Sequence, residues 1–206
     1  MLINLTLDQF LAETASASPA PGGGSVSALV GALGAALAAM VCELTSSKEE
    51  AVLTQLAAAR NEASRLQEEL KQAVDRDTVV FNKVMTAYKL PKASEEEKRV
   101  RAASIQDALK AAADEPCRAA ELGLEVLKQA VTMLQIGNRN AASDAAVSGL
   151  MAHAALHGAL YNVRINIGAI KDETYTAAMR VRCHALATEA DLVAADLKQL
   201  AAEVIG

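Results

Sequence analysis

Apolar residues recur at helical spacing along almost the whole chain, and no segment shows the period-two alternation of a half-buried strand. In residues 5–15, Leu7, Phe10 and Leu11 share one face behind Thr6, an N-cap residue, which predicts a short helix. Ser16 to Gly24 reads as a loop, since Pro19 and Pro21 exclude helix and the three glycines tolerate positive φ. A helix follows from about Ser25 to Leu44, with Gly31 and Gly34 marking close approach by neighbours. Residues 49–88 form a long helical region with apolar positions at 53, 56, 66, 70, 74, 81 and 84–85. Pro91 breaks it, and Ser94 with Glu97 three residues on forms a capping box that restarts the helix. Pro116 predicts a break or kink before a further amphipathic helix that Gly137 terminates. After the polar turn at 138–144 come a second Ala-rich helix and, over 172–205, a long amphipathic one. The pattern predicts an all-α fold: an up-and-down bundle of roughly six to eight long helices, with Ala/Gly-rich helices buried, in a single domain spanning 1–206.

Composition adds a packing argument. The 206 residues contain no Trp, two Phe and three Tyr, so apolar burial has to come from thin helices packed closely, and from a partner chain. The net charge of −5 and the lack of a basic, aromatic-studded face argue against nucleic acid as a partner. Cys42, Cys117 and Cys183 are odd in number and lack C-x-x-C spacing, which points to a reducing cytoplasm rather than a disulfide framework or a zinc knuckle. The first 21 residues have no basic n-region, so they do not read as a signal peptide. Residues 26–42 are uncharged and nearly long enough to span a bilayer, but they are mostly Ala and Gly without flanking Lys or Arg. A buried helix is therefore expected there rather than a membrane anchor.

Polar residues stand out where buried helices should lack them. Gly22, Gly23, Gly24 and Ser25 precede an apolar helix whose N-terminus favours an anion, although a tight turn into a crowded core explains the same glycines. Asn138 and Asn140 suit a turn, whereas Asp144 lies inside an apolar helix and needs partners there or a shifted pKa. Asn162 and Asn166 share one face and suit either a structural crosslink or the edge of a heterocycle. Asp77, Asn82, Tyr88, Lys89 and Lys92 form a fourth group, most of which reads as a solvated helix end. His153 and His157 have metal-like i,i+4 spacing, but no third ligand is evident and the glutamate of HExxH is missing, so no metal is expected. From the residues alone, the chain binds a polar, anionic, ring-containing small molecule.

Three motifs in order, "PAPGGGSVSALVGALGAALAAMVCELT", "FNKVMTAYKLPK" and "GNRNAASDAAVS" followed by "NVRINI", resemble the cyclodeaminase/cyclohydrolase family over nearly the whole chain. That family includes the C-terminal domain of formiminotransferase-cyclodeaminase and stand-alone methenyltetrahydrofolate cyclohydrolases. The resemblance implies an all-α, homodimeric or larger enzyme that acts on one-carbon derivatives of tetrahydrofolate and needs no other cofactor and no metal. It implies formation of 5,10-methenyltetrahydrofolate and ammonia from 5-formiminotetrahydrofolate, or alternatively hydrolysis of methenyltetrahydrofolate to 10-formyltetrahydrofolate. The alternative of another class is a non-catalytic folate-binding helical module. The family's glycine segment maps to Gly22–Ser25, its aspartate before "F-x-x-V-M" to Asp77, and its "G-N-x-N-x-x-S-D" to Gly137, Asn138, Asn140, Ser143 and Asp144. Asp144 or Asp77 is then the acid/base group, with Asn138, Asn140, Asn162 and Asn166 holding the heterocycle. Many relatives carry a basic segment after "LT" where this chain keeps only Lys48, so contacts to the anionic tail fall on the glycines, Lys89 and Lys92.

Overall fold

The computed structural model describes residues 1–206. Its six α-helices are α1 (Leu7–Thr14), α2 (Gly23–Glu43), α3 (Glu50–Tyr88), α4 (Glu95–Ile136), α5 (Ala142–Ile167) and α6 (Glu173–Ile205), with 3-10 turns at Leu2–Asn4 and Arg139–Ala141. The caps are those written in the sequence. Thr6 with Gln9 and Ser94 with Glu97 form reciprocal capping boxes, and Asp172 accepts from the Tyr175 N–H.

Two predicted boundaries move. Gly23 and Gly24 already lie in the first turn of α2, with Gly22 as N-cap, so two of the three glycines are helical rather than loop. Pro116 neither breaks nor ends α4, which runs on for 42 residues. A proline at 116 removes the N–H that would bond the Ala112 carbonyl, the cost that usually stops a helix. Here the side-chain Nδ2 of Asn166 donates to that carbonyl at 2.6 Å, so the orphaned acceptor is satisfied from α5.

Helices α2 and α5 form the centre, wrapped by α3, α4 and α6. The small residues of these two helices let backbones meet: a Cβ on Gly34 would stand 2.9 Å from the Ser148 carbonyl. The buried Ser148 hydroxyl donates across the same crossing to the Gly34 carbonyl at 2.7 Å. Around this seam Leu66, Leu70, Leu127, Met133, Leu156, Leu160 and Leu197 are fully buried, each worth about 1.5–3 kcal/mol. A smaller cluster of Phe10, Ala28, Ala73 and Val74 seats α1 on α2 and α3. Helix α2 is long and apolar enough to cross a membrane, yet eleven of its residues are packed against neighbouring helices.

The packing leaves an apolar surface. Leu33 and Met40 on α2 and Val147, Leu150, Tyr161 and Ile165 on α5 are exposed, although both helices are otherwise central.

Candidate active site

The first turn of α2 abuts the middle of α3 at Asp77. The Ser25 N–H and the Ser25 hydroxyl each lie 2.9 Å from Asp77 Oδ2, leaving Oδ1 without a hydrogen-bond partner in the chain. Gly24 is required by this contact, because a Cβ there would overlap the Asp77 carboxylate. The anion site expected at the glycine-rich helix start is thus taken in part by the protein's own carboxylate. Burial pushes the Asp77 carboxyl above its ordinary range, the Ser25 bonds oppose that, and nearby Glu115 adds to it.

Beside this contact opens a cavity of about 240 Å³ lined by Gly22–Gly24, Asp77, Thr78, Phe81, Asn162 and Asn166 among others. Asn162 Nδ2 donates to the Gly158 carbonyl at 2.9 Å and Asn166 Nδ2 to that of Ala112 at 2.6 Å. Each amide spends its NH2 on backbone and leaves its carbonyl oxygen unpartnered. Thr78 Oγ1 is buried at the same cavity without a partner. Thr78 and Phe81 escaped the sequence reading: a threonine and an aromatic inside an amphipathic helix carry no signal until the neighbouring helix is known. Asp77 is the one carboxylate lining the cavity. The space is below the roughly 300–1,000 Å³ of a site for a drug-sized ligand, so it admits a ring system rather than an extended molecule.

The other candidates lie elsewhere. Asn138 donates from Nδ2 to the Leu44 carbonyl and from its backbone to Thr45 Oγ1, both at 2.9 Å, at the far end of α2. Its own Oδ1 accepts from the Asn140 backbone N–H at 3.0 Å, so the Asn138 side chain serves the turn. Asp144 sits half-buried in the first turn of α5, near exposed Ser143. The rise of α2 puts this second cluster about 30 Å from Asp77. Within one chain the two expected halves of the site never meet. Asn82 lines a separate open groove with Lys83 and Asp107. Tyr88, Lys89 and Lys92 are exposed around the α3–α4 turn, with the Arg101 guanidinium 5.9 Å from the Tyr88 ring centre.

His153 and His157 do have a third partner, which sequence spacing could not reveal. Asp191 on α6 lies 2.9 Å from His153 Nε2 and 3.0 Å from His157 Nε2.

A family model described as formiminotransferase-cyclodeaminase matches residues 6–185. Methenyltetrahydrofolate cyclohydrolase of Methylorubrum extorquens is 40% identical over 174 residues, covering 84% of each chain. Formimidoyltransferase-cyclodeaminase of Rattus norvegicus is 33% identical over 199 residues, which are 94% of this chain and 36% of that protein. The chain thus spans about a third of the animal relatives it matches. The crystal structure of formiminotetrahydrofolate cyclodeaminase from Thermotoga maritima superposes over 100% of both chains with a TM-score of 0.88 at 28% identity.

Proposed function

The chain belongs to the formiminotransferase-cyclodeaminase family, and from that premise we propose that it is a methenyltetrahydrofolate cyclohydrolase acting through Asp77. Its place among one-carbon folate enzymes of the cyclodeaminase/cyclohydrolase type follows from the family and its named relatives. The choice of hydrolysis over the cyclodeaminase reading placed first on the sequence rests on the 40% identity to a cyclohydrolase of matching extent. Cyclodeamination is the second reading, supported by the fold match to a cyclodeaminase.

Asp77 carries the mechanism in this reading, because it is the carboxylate lining the cavity and its Oδ1 is unpaired while Oδ2 is fixed by Ser25. Water attacks the electrophilic carbon bridging N5 and N10, and ionised Asp77 takes the proton that the water loses. The adduct's hydroxyl then gives up its proton to solvent as the carbon–N5 bond breaks, and Asp77 passes the proton it took to N5, leaving the formyl group on N10 with one proton released overall. In cyclodeamination the same carboxyl would serve as acid: N10 closes on the formimino carbon, the formimino nitrogen gains the proton lost by N10 and one from the carboxyl, and the carbon–nitrogen bond breaks to release ammonia. The bridging carbon is already electrophilic, so acid–base help and fixed positioning are the contributions required of the protein. Asn162 and Asn166 offer carbonyl oxygens to ring N–H donors, and Thr78 adds a hydroxyl. No metal or redox step enters this reaction.

The functional unit is a homodimer in this reading. A two-fold axis crossing α2 near its middle would pair the copies antiparallel, covering Leu33, Met40, Leu150 and Ile165. The Asp77 end of one chain would then meet the Asn138–Asp144 end of the other, and Lys89 and Lys92 would remain available to the anionic tail. A cytoplasmic setting suits the three buried, free cysteines.

The test is the near-ultraviolet absorbance of methenyltetrahydrofolate mixed with purified protein. Decay well above the buffer rate is expected. No acceleration, with ammonia released from formiminotetrahydrofolate, would favour the second reading instead. Folate binding without either turnover would leave only the non-catalytic module.

A further inference from the structure

We propose that His153, His157 and Asp191 form a binding site for a first-row divalent cation of the zinc class, clipping α5 to α6. The three ligand atoms make a nearly equilateral triangle: His153 Nε2 to Asp191 Oδ1 is 2.9 Å, His157 Nε2 to the same oxygen 3.0 Å, and the two nitrogens are 3.1 Å apart. Each of the three residues offers one ligand atom, and the three atoms stand close together.

Hydrogen bonding accounts for at most two sides of this triangle. If both imidazoles donate to Asp191 Oδ1, the 3.1 Å contact between the two Nε2 atoms has no bond of its own. If one imidazole donates to the other, the acceptor's ring nitrogen turns a lone pair toward the carboxylate. A cation resolves all three contacts. Metal–ligand distances of about 2.0–2.2 Å with angles near 90° require ligand atoms about 3.0 Å apart, the spacing observed, whereas tetrahedral angles would need about 3.4 Å. The arrangement is therefore a facial set of two histidines and one carboxylate, with the remaining positions open to water. Two nitrogen ligands favour zinc, cobalt or nickel over magnesium and calcium.

The site joins helices that otherwise meet through packing such as Leu197 against Gly149. It lies on the α6 side of α5, while Asn162 and Asn166 turn to α2 and α4. The cation is thus separate from the folate chemistry. Neither imidazole Nδ1 has a protein partner to fix its ring, which sets an affinity below that of a closed structural zinc site.

The experiment is calorimetric titration of zinc chloride into the chelator-treated, full-length protein, paired with the visible spectrum of bound cobalt(II). One zinc per chain is expected, with melting raised by about 5–10 °C at hundredfold excess over the dissociation constant. Asp191→Asn and His157→Ala should each weaken binding at least tenfold and remove the cobalt spectrum. His184→Ala, which changes the third histidine outside the triangle, should leave both unchanged. His157 is half-buried and Asp191 and His184 are exposed, so these substitutions leave the packed core intact. Absence of zinc binding, or binding unchanged in Asp191→Asn and His157→Ala, overturns the proposal.

Discussion

Ser25 directs both its N–H and its hydroxyl at a single oxygen of Asp77, each at 2.9 Å. The carboxylate is thereby held at the cavity with its other oxygen unpartnered, positioned by a backbone N–H at a helix N-terminus. The same hydroxyl also lies 2.9 Å from the Val74 carbonyl, so its one proton is shared between two acceptors. The backbone N–H is therefore the constant partner of Asp77.

Replacing Asp77 with Asn tests its function and its electrostatics together. Removal of a positioned acid/base group should lower kcat by about 10²–10⁴-fold. Burial raises the folded pKa of Asp77, so the protonated form is the better folded one. Its contribution to stability is full below the ordinary carboxylate range and is lost as pH rises through the elevated folded value. The Asp77→Asn variant carries a permanently neutral amide and should therefore melt above the wild type at neutral pH, with the difference closing toward about pH 4. Melting curves over that range check the sign.

Ser25→Ala separates positioning from the reacting group. The lost hydroxyl bonds the ionised carboxylate, so its removal should raise the Asp77 pKa further. The acidic limb of the kcat/KM–pH profile should move to higher pH, with partial activity kept because the backbone N–H remains. An unmoved limb would mean that Asp77 is not the group being titrated.

The Asn166–Ala112 bond predicts a coupling with Pro116. Asn166→Ala strands the Ala112 carbonyl and should cost about 1–3 kcal/mol of stability. In a Pro116→Ala background the restored N–H can bond that carbonyl, and the same Asn166 change should then cost less than about 1 kcal/mol. Denaturant melts of the four proteins close the cycle. Additive losses would sink the account of why α4 continues.

Much of the fold was legible because its signals are local. Thr6 and Ser94 cap helices through atoms three residues away, and the helical spacing of apolar residues shows which faces turn inward. Pro116 misled because its rescue comes from Asn166, 50 positions on, across two packed helices. Gly24 was legible as special but not its cause, since the carboxylate excluding a Cβ belongs to α3. Asp191 likewise joins two histidines that are four apart, while standing 34 residues from the nearer one. In the candidate site, Asp77, Asn162 and Asn166 line one cavity, whereas the Asn138 side chain bonds the Leu44 carbonyl and the Asn140 backbone N–H at the other end of α2.

That separation yields the prediction that bears most on the assembly. Asp77 and Asp144 lie near opposite ends of the central pair of helices, and α2 alone separates their surroundings by about 30 Å. If one active site takes Asp77 from one chain and Asp144 from its two-fold partner, each chain carries half of two sites. Asp77→Asn and Asp144→Asn should each be inactive as homodimers, since both sites are then damaged. Unfolded together and refolded as a mixture, half the dimers are hybrids, and each hybrid has one site with both changes and one with neither. Recovery of about 25% of wild-type activity is expected from that statistics. Ile165→Glu, which places a charge on the exposed apolar face of α5, should give a folded monomer and abolish the recovery. No recovery from a mixture shown to exchange subunits would confine catalysis to the Asp77 cavity of a single chain.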